Sequence, residues 1–191
     1  MGQSQVIENA LKGFGQKDNQ MTVGGKTIND WALEHGTPLY LYDFSIVRRQ
    51  ITLFREHFPK DIQLFYAVKA NPNKDLLKGM ADLVDGFDVA SAGELKKVTG
   101  AGGDPSTISF AGPGKSALEI KQAVEAGIGS INVESERELE MISREATQQG
   151  RKPKVSIRIN PDFELHGSGM KMGGGPKQFG IGAEQVPSVL N

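Results

Sequence analysis

Five short apolar runs recur at nearly constant intervals, and no other feature restricts the fold of this chain as much. They lie at 62–68, 86–90, 107–111, 130–133 and 154–159, so their starts are 24, 21, 23 and 24 residues apart. Each of the first four is followed by a stretch with helical patterning, at 74–84, 93–99, 116–126 and 135–148. The last of these carries Glu138, Leu139, Ile142 and Ala146 at helical spacing. Strands alternating with helices imply a parallel sheet with helices outside it. Near-equal spacing suits a (β/α)8 barrel. A doubly wound sheet is the alternative that spacing leaves open. No Gly-x-Gly-x-x-Gly follows the first strand, which removes the usual dinucleotide-binding reading.

Five strands are visible where a barrel needs eight, and a complete barrel takes roughly 250 residues against the 191 here. The expected architecture is a partial (β/α)8 barrel, about five of eight strands, over 37–191. An irregular or helical lead-in occupies 1–36, a short strand 38–42, and an amphipathic helix 44–58. A final helix is expected at 183–190, interrupted by Pro187. The C-terminal half of the barrel is expected to lie outside these 191 residues. An open half-barrel exposes a strand edge and an apolar face, so it is expected to need its missing half to be stable.

Composition excludes several function classes. Lys plus Arg (22) nearly balance Asp plus Glu (23), giving no charge suited to nucleic acid or an anionic membrane. There is no cysteine, which removes disulfides and thiolate metal sites and suits the cytoplasm. His35, His57 and His166 are scattered, so no metal site is expected. No apolar run approaches the ~20 residues of a membrane span.

In a parallel barrel, chemistry gathers at the C-terminal ends of the strands. Here those ends carry Lys69 and Asn71, then Asp88 and Glu94, the run Gly112–Ser116, Glu134, and Arg158. Lys69 at the mouth could attack a carbonyl to form a Schiff base, or simply snorkel to solvent. Alternation places it on the same side as Phe65 and Ala67, and partial desolvation there would ease loss of its charge. Arg158, between Ile157 and Ile159, needs a partner: a buried acid, or an anionic cofactor. Glu134 either joins the pocket or caps the helix beginning near Ser135. Glu94 either orients a ligand or complements a helix dipole. The run at 112–116 (GPGKS) is not a phosphate loop, because Ser109 stands where glycine is required; Ser116 is read instead as a helix N-cap. The glycine-rich stretch 166–182 reads as a lid over the mouth, or as a plain insertion.

Taken together these segments resemble a known family. The run FYAVKANPN at 65–73 looks like the lysine segment of the pyridoxal-phosphate (PLP) decarboxylases acting on diaminopimelate, ornithine and arginine, whose barrel is of the alanine-racemase type. The likeness continues through 37–43 (TPLYLYD), 87–95 (FDVASAGEL), 132–135 (NVES), 158–161 (RINP) and 179–181 (FGI). The stretch 167–180 most resembles the members associated with exosortase A and exopolysaccharide loci. The resemblance implies PLP as cofactor and Lys69 as the residue that carries it. It implies that Asp88 lies beside cofactor and lysine, that Arg158 contacts the ring hydroxyl side, and that Asn71 and Glu94 line the pocket. It further implies decarboxylation of a small-molecule amino acid such as diaminopimelate, lysine or ornithine, and a homodimer when full length. The family's phosphate site, ring-stacking histidine and β-domain come from later segments, so this chain alone is expected to be inactive. A PLP racemase is the alternative enzyme, but its motif usually continues Lys-Ala-Asx-Ala-Tyr-Gly, whereas Asn71-Pro72-Asn73 follows here. A non-catalytic PLP-binding protein and a cofactor-free scaffold are the remaining alternatives.

Overall fold

The computed structural model describes residues 11–161 and 179–190. The chain divides into two compact units, 1–62 and 63–191.

The first unit departs from the expected lead-in. Three short strands, β1 (Gly15–Lys17), β2 (Gln20–Val23) and β3 (Lys26–Thr27), form an antiparallel meander. Its two-residue turns have left-handed backbones at Asp18 (φ 51°) and Asn19 (φ 59°), then at Gly24 and Gly25. That turn chemistry matches the twist of a hairpin. Helix α1 (Ile28–His35) follows, capped by the Thr27 side chain, which accepts from Asp30 N–H. The Trp31 indole N–H ties it to Val23 O at 2.9 Å. No strand forms at 38–42, contrary to expectation: an extended segment becomes a strand only with a ladder partner, and none is found among the described residues. Helix α2 (Phe44–His57) matches its expected span and is capped by Asp43.

The second unit carries the predicted rhythm. Strands β4 (Phe65–Ala67), β5 (Gly86–Val89), β6 (Ile108–Phe110), β7 (Ser130–Val133) and β8 (Val155–Ile157) lie in that order in one parallel sheet. Helices α3 (Lys74–Met80), α4 (Ala92–Gly100), α5 (Ala117–Ala126) and α6 (Glu136–Gln149) alternate with them. This is the α/β architecture of part of a barrel. The chain continues past β8 into β9 (Ile159–Asn160). The short β10 (Ile181–Gly182) pairs with β9 in parallel, and the two form a separate two-stranded sheet. The expected final helix is reduced to a 3-10 turn at Ala183–Gln185 and the one-turn α7 (Val186–Val189). Residues 162–178, including most of the stretch read as a lid, lie outside the described residues.

The core lies between sheet and helices. Phe87, Val89, Ile108, Phe110, Ile131 and Val133 point into it from the strands and are at most 3% exposed. Leu77, Val98, Ile120, Val124 and Ile142 meet them from the helices. At about 25 cal/mol per Å2 of apolar area, this face supplies most of the hydrophobic stabilisation. Each helix starts on a side-chain cap at the C-terminal end of the preceding strand: Asn73, Ser91, Ser116 and Ser135. The cap expected at Ser116 is present, as a full capping box with Glu119. Caps at these positions fix the loops on which the rim residues sit.

Candidate active site at the C-terminal rim

The other face of the sheet is polar and half-buried. Register aligns Ala67 with Asp88 and Asp88 with Ser109. Parallel neighbours in register share a face, so these three form one row across β4, β5 and β6. Asn132 on β7 joins it, donating from Nδ2 to Ser109 Oγ at 3.1 Å.

Strand β4 ends at Ala67, and Val68–Ala70 form a single 3-10 turn. Strand alternation therefore stops two residues short of Lys69. Val68 is fully buried and anchors the turn, while Lys69 is exposed. The desolvation expected of Lys69 is not present, because the described residues leave the polar face uncovered. Asn71 then shapes the exit. Its Oδ1 accepts from Asn73 N–H at 3.1 Å, and its carbonyl accepts from the Tyr66 hydroxyl at 3.2 Å. Asn73 in turn caps α3 through Asp75 and Leu76 N–H. Lys69 is thus held between a buried valine and an Asx turn, two residues beyond the pairing of Ala67 with Asp88.

Glu94 turns back onto the backbone, accepting from Ala90 N–H at 2.7 Å, while its own N–H is capped by Ser91 Oγ. It stiffens the loop after β5.

The densest polar cluster lies around Glu134, which is not the helix cap; Ser135 fills that role. The Glu134 side chain is 1% exposed and accepts three hydrogen bonds. They come from Gly112 N–H (3.1 Å) and Arg158 Nη1 (3.2 Å) at Oε1, and from Gly180 N–H (3.0 Å) at Oε2. Arg158 therefore has an acidic partner, and its guanidinium also lies 4.9 Å from the centre of the Phe179 ring. Beneath this, Lys115 is buried and donates to Gly112 O (2.7 Å), Asn132 O (2.6 Å) and Glu138 Oε2 (3.1 Å). Lys115, part of the run that fails as a phosphate loop, is thus a structural cation. Sequence reasoning missed this pair and the three-way role of Glu134. The available signals were Glu134 and Glu138 one helical turn apart at a strand end, and glycines flanking the rim.

The rim residues fit a cofactor bearing an aldehyde and an anionic ring oxygen. Lys69 offers an exposed primary amine, Asp88 lies on the neighbouring strand, and Arg158 offers a guanidinium with 34% of its side chain open. Among the described residues no group of three or more His, Asp or Glu side chains could hold a metal ion.

Comparison with known proteins bears on the same segment. Residues 44–191 match the family model described as "Pyridoxal-dependent decarboxylase, pyridoxal binding domain". The chain belongs to this family. PLP is therefore its cofactor, and the partial barrel is of the alanine-racemase type. The diaminopimelate decarboxylase of Vibrio cholerae is 41% identical over 150 residues, covering 78% of this chain and 36% of that protein. The crystal structure of diaminopimelate decarboxylase from M. jannaschii superposes with a TM-score of 0.81 at 27% identity, covering 96% of this chain and 45% of that one. That of the Helicobacter pylori enzyme complexed with L-lysine gives 0.72 at 38% identity, covering 84% and 41%. The chain thus spans less than half the length of these relatives.

Proposed function

We propose that this chain forms part of a PLP-dependent amino-acid decarboxylase in which Lys69 carries the cofactor. The observation supporting this most directly is the placement of Lys69. It is an exposed amine just past the C-terminal end of the first parallel strand, two residues beyond the pairing of Ala67 with Asp88, in a chain of the pyridoxal-dependent decarboxylase family. When bound, PLP supplies an electron sink for the pair left behind as a carboxylate departs.

The protein's own groups then divide the work. Lys69 would hold the cofactor through its Nζ, and its amine, when free, could carry a proton at the same place. Asp88, across the register from Ala67, balances the lysine's charge. Arg158, paired with Glu134, would hold the cofactor's anionic ring oxygen. Asn71 and Glu94 line the pocket and hold the loops that bear Lys69 and Asp88. The α-carboxylate leaves as CO2, and a proton takes its place at Cα.

The proposed substrate is a diamino acid of the diaminopimelate, lysine or ornithine type. The relative with bound L-lysine supports this class. A homodimer in the cytoplasm is the proposed setting, and an exopolysaccharide role rests on the residues at 167–180 alone. None of the helices among the described residues is long and apolar enough to cross a membrane.

The test is borohydride trapping of the full-length protein with PLP, followed by peptide mapping. A reduced adduct on Lys69, lost in Lys69→Ala together with CO2 release from diamino acids, is the expected result. An adduct elsewhere, or none, would overturn the assignment.

A further inference from the structure

We propose that Glu134 is a positioning residue for the cofactor site, acting through Arg158 and gathering three rim segments around one buried carboxylate. The inference rests on the functional reading above and deepens it.

Three separate stretches of chain converge on this side chain: the loop after β6 through Gly112 N–H, the β8–β9 junction through Arg158, and the residues entering β10 through Gly180 N–H. A carboxylate 1% exposed is costly unless its lone pairs are filled, and here three donors fill them. Its backbone is fixed separately. Glu134 N–H donates to Glu138 Oε2 at 2.9 Å, the same oxygen that receives Lys115. The Lys115–Glu138 pair therefore sets where Glu134 stands, and the Glu134 carboxylate sets where the rim groups stand.

Arg158 is the group through which this reaches the cofactor. Glu134 and the Phe179 ring hold its guanidinium from two sides, while a third of the side chain stays open. A planar guanidinium paired with a fixed carboxylate is itself held at a fixed angle. Gly180 makes the close approach possible. Its φ is +81°, and a Cβ there would lie 2.9 Å from Arg158 O. Glue alone would need no such coupling to a partly open cation.

The experiment is a double-mutant cycle in the full-length holoenzyme, reading PLP affinity by absorbance titration beside thermal stability. Glu134→Gln keeps the shape but replaces one acceptor oxygen with a donor. PLP affinity is expected to fall about tenfold, in line with the loss of a bond to a charged group. In an Arg158→Met background the same change is expected to cost no further affinity, because the residue it acts through is gone. Should Glu134→Gln not fold, Glu134→Asp carries the same cycle, its shorter arm keeping the charge and withdrawing from Arg158. Unchanged PLP affinity in the Glu134 variants, or losses that simply multiply with Arg158→Met, would overturn the proposal even where melting temperature drops. If the wild-type protein took up no PLP, the functional reading itself would fall, and this with it.

Discussion

The two faces of the parallel sheet are built on opposite terms. Toward the helices, Phe87, Val89, Ile108, Phe110, Ile131 and Val133 are sealed from water. On the reverse, Asp88, Ser109 and Asn132 are half-buried polar groups beside Ala67. One strand serves both, because successive side chains point to opposite sides. Stability is thereby concentrated on one face, and the other is left free to carry groups chosen for chemistry. Charged and amide side chains can stand there because the helix side already supplies the burial that holds the strands in register.

Substitutions on the two faces should therefore separate. Phe110→Ala on the sealed face is expected to cost about 3–5 kcal/mol of unfolding free energy, measured by urea denaturation, since it opens a cavity beneath the centre of the sheet. Ser109→Ala, one residue earlier on the polar face, removes the acceptor for Asn132 Nδ2 and is expected to cost about 0.5–1.5 kcal/mol. Equal losses from the two neighbours would show that the polar face contributes to stability as the core does, and the comparison would fail.

The barrel segment was legible because its signal is periodic. The strand at Ser130–Val133 matches its expected span, and the others differ by a few residues at their ends. The N-terminal meander was not legible in the same way. Its strands are two to four residues long, too short for alternation to show, and only the Asp18-Asn19 and Gly24-Gly25 turns mark it. The site was legible where residue type alone decides, as at Lys69. It was not legible where a side chain acts across the fold. Glu94 and Glu134 read equally well as helix-start acids, Glu138 only as part of a helical pattern, and nothing in the local sequence singles out Glu119. The structure shows each accepting from backbone N–H groups at the rim, at Ala90, Ala92, Gly112 and Glu134 respectively. Glu119 and Glu134 reach across to a neighbouring strand's loop. Spacing along one chain cannot reveal that reach, because it depends on how adjacent βα units sit side by side.

Glu119 offers the finest test of the contrast, because it belongs to the rim yet bears on stability. Its Oε2 accepts from Ser116 N–H and Oγ at 3.0 and 2.9 Å, and its Oε1 accepts from Ala92 N–H at 3.1 Å, joining the starts of α4 and α5. The Ser116 backbone N–H, aided by Ala92, the Ser116 hydroxyl and Lys115, holds its carboxyl below the usual value, although burial opposes this. A carboxyl with a depressed folded pKa binds fewer protons in the folded than in the unfolded chain. The stabilisation is therefore fully present above the unfolded value of about 4.3 and fades as pH falls through the lower folded value. Glu119→Gln is expected to flatten the decline of unfolding free energy below that value, with little change in the decline above it. Urea unfolding at a series of pH values checks this, and Ser116→Ala should flatten the same range by removing the hydroxyl that favours the ionised carboxylate. Were the acid limb of the profile identical in all three proteins, the link from Glu119 to its helix-start donors would carry no stability. The rim would then be a purely chemical face.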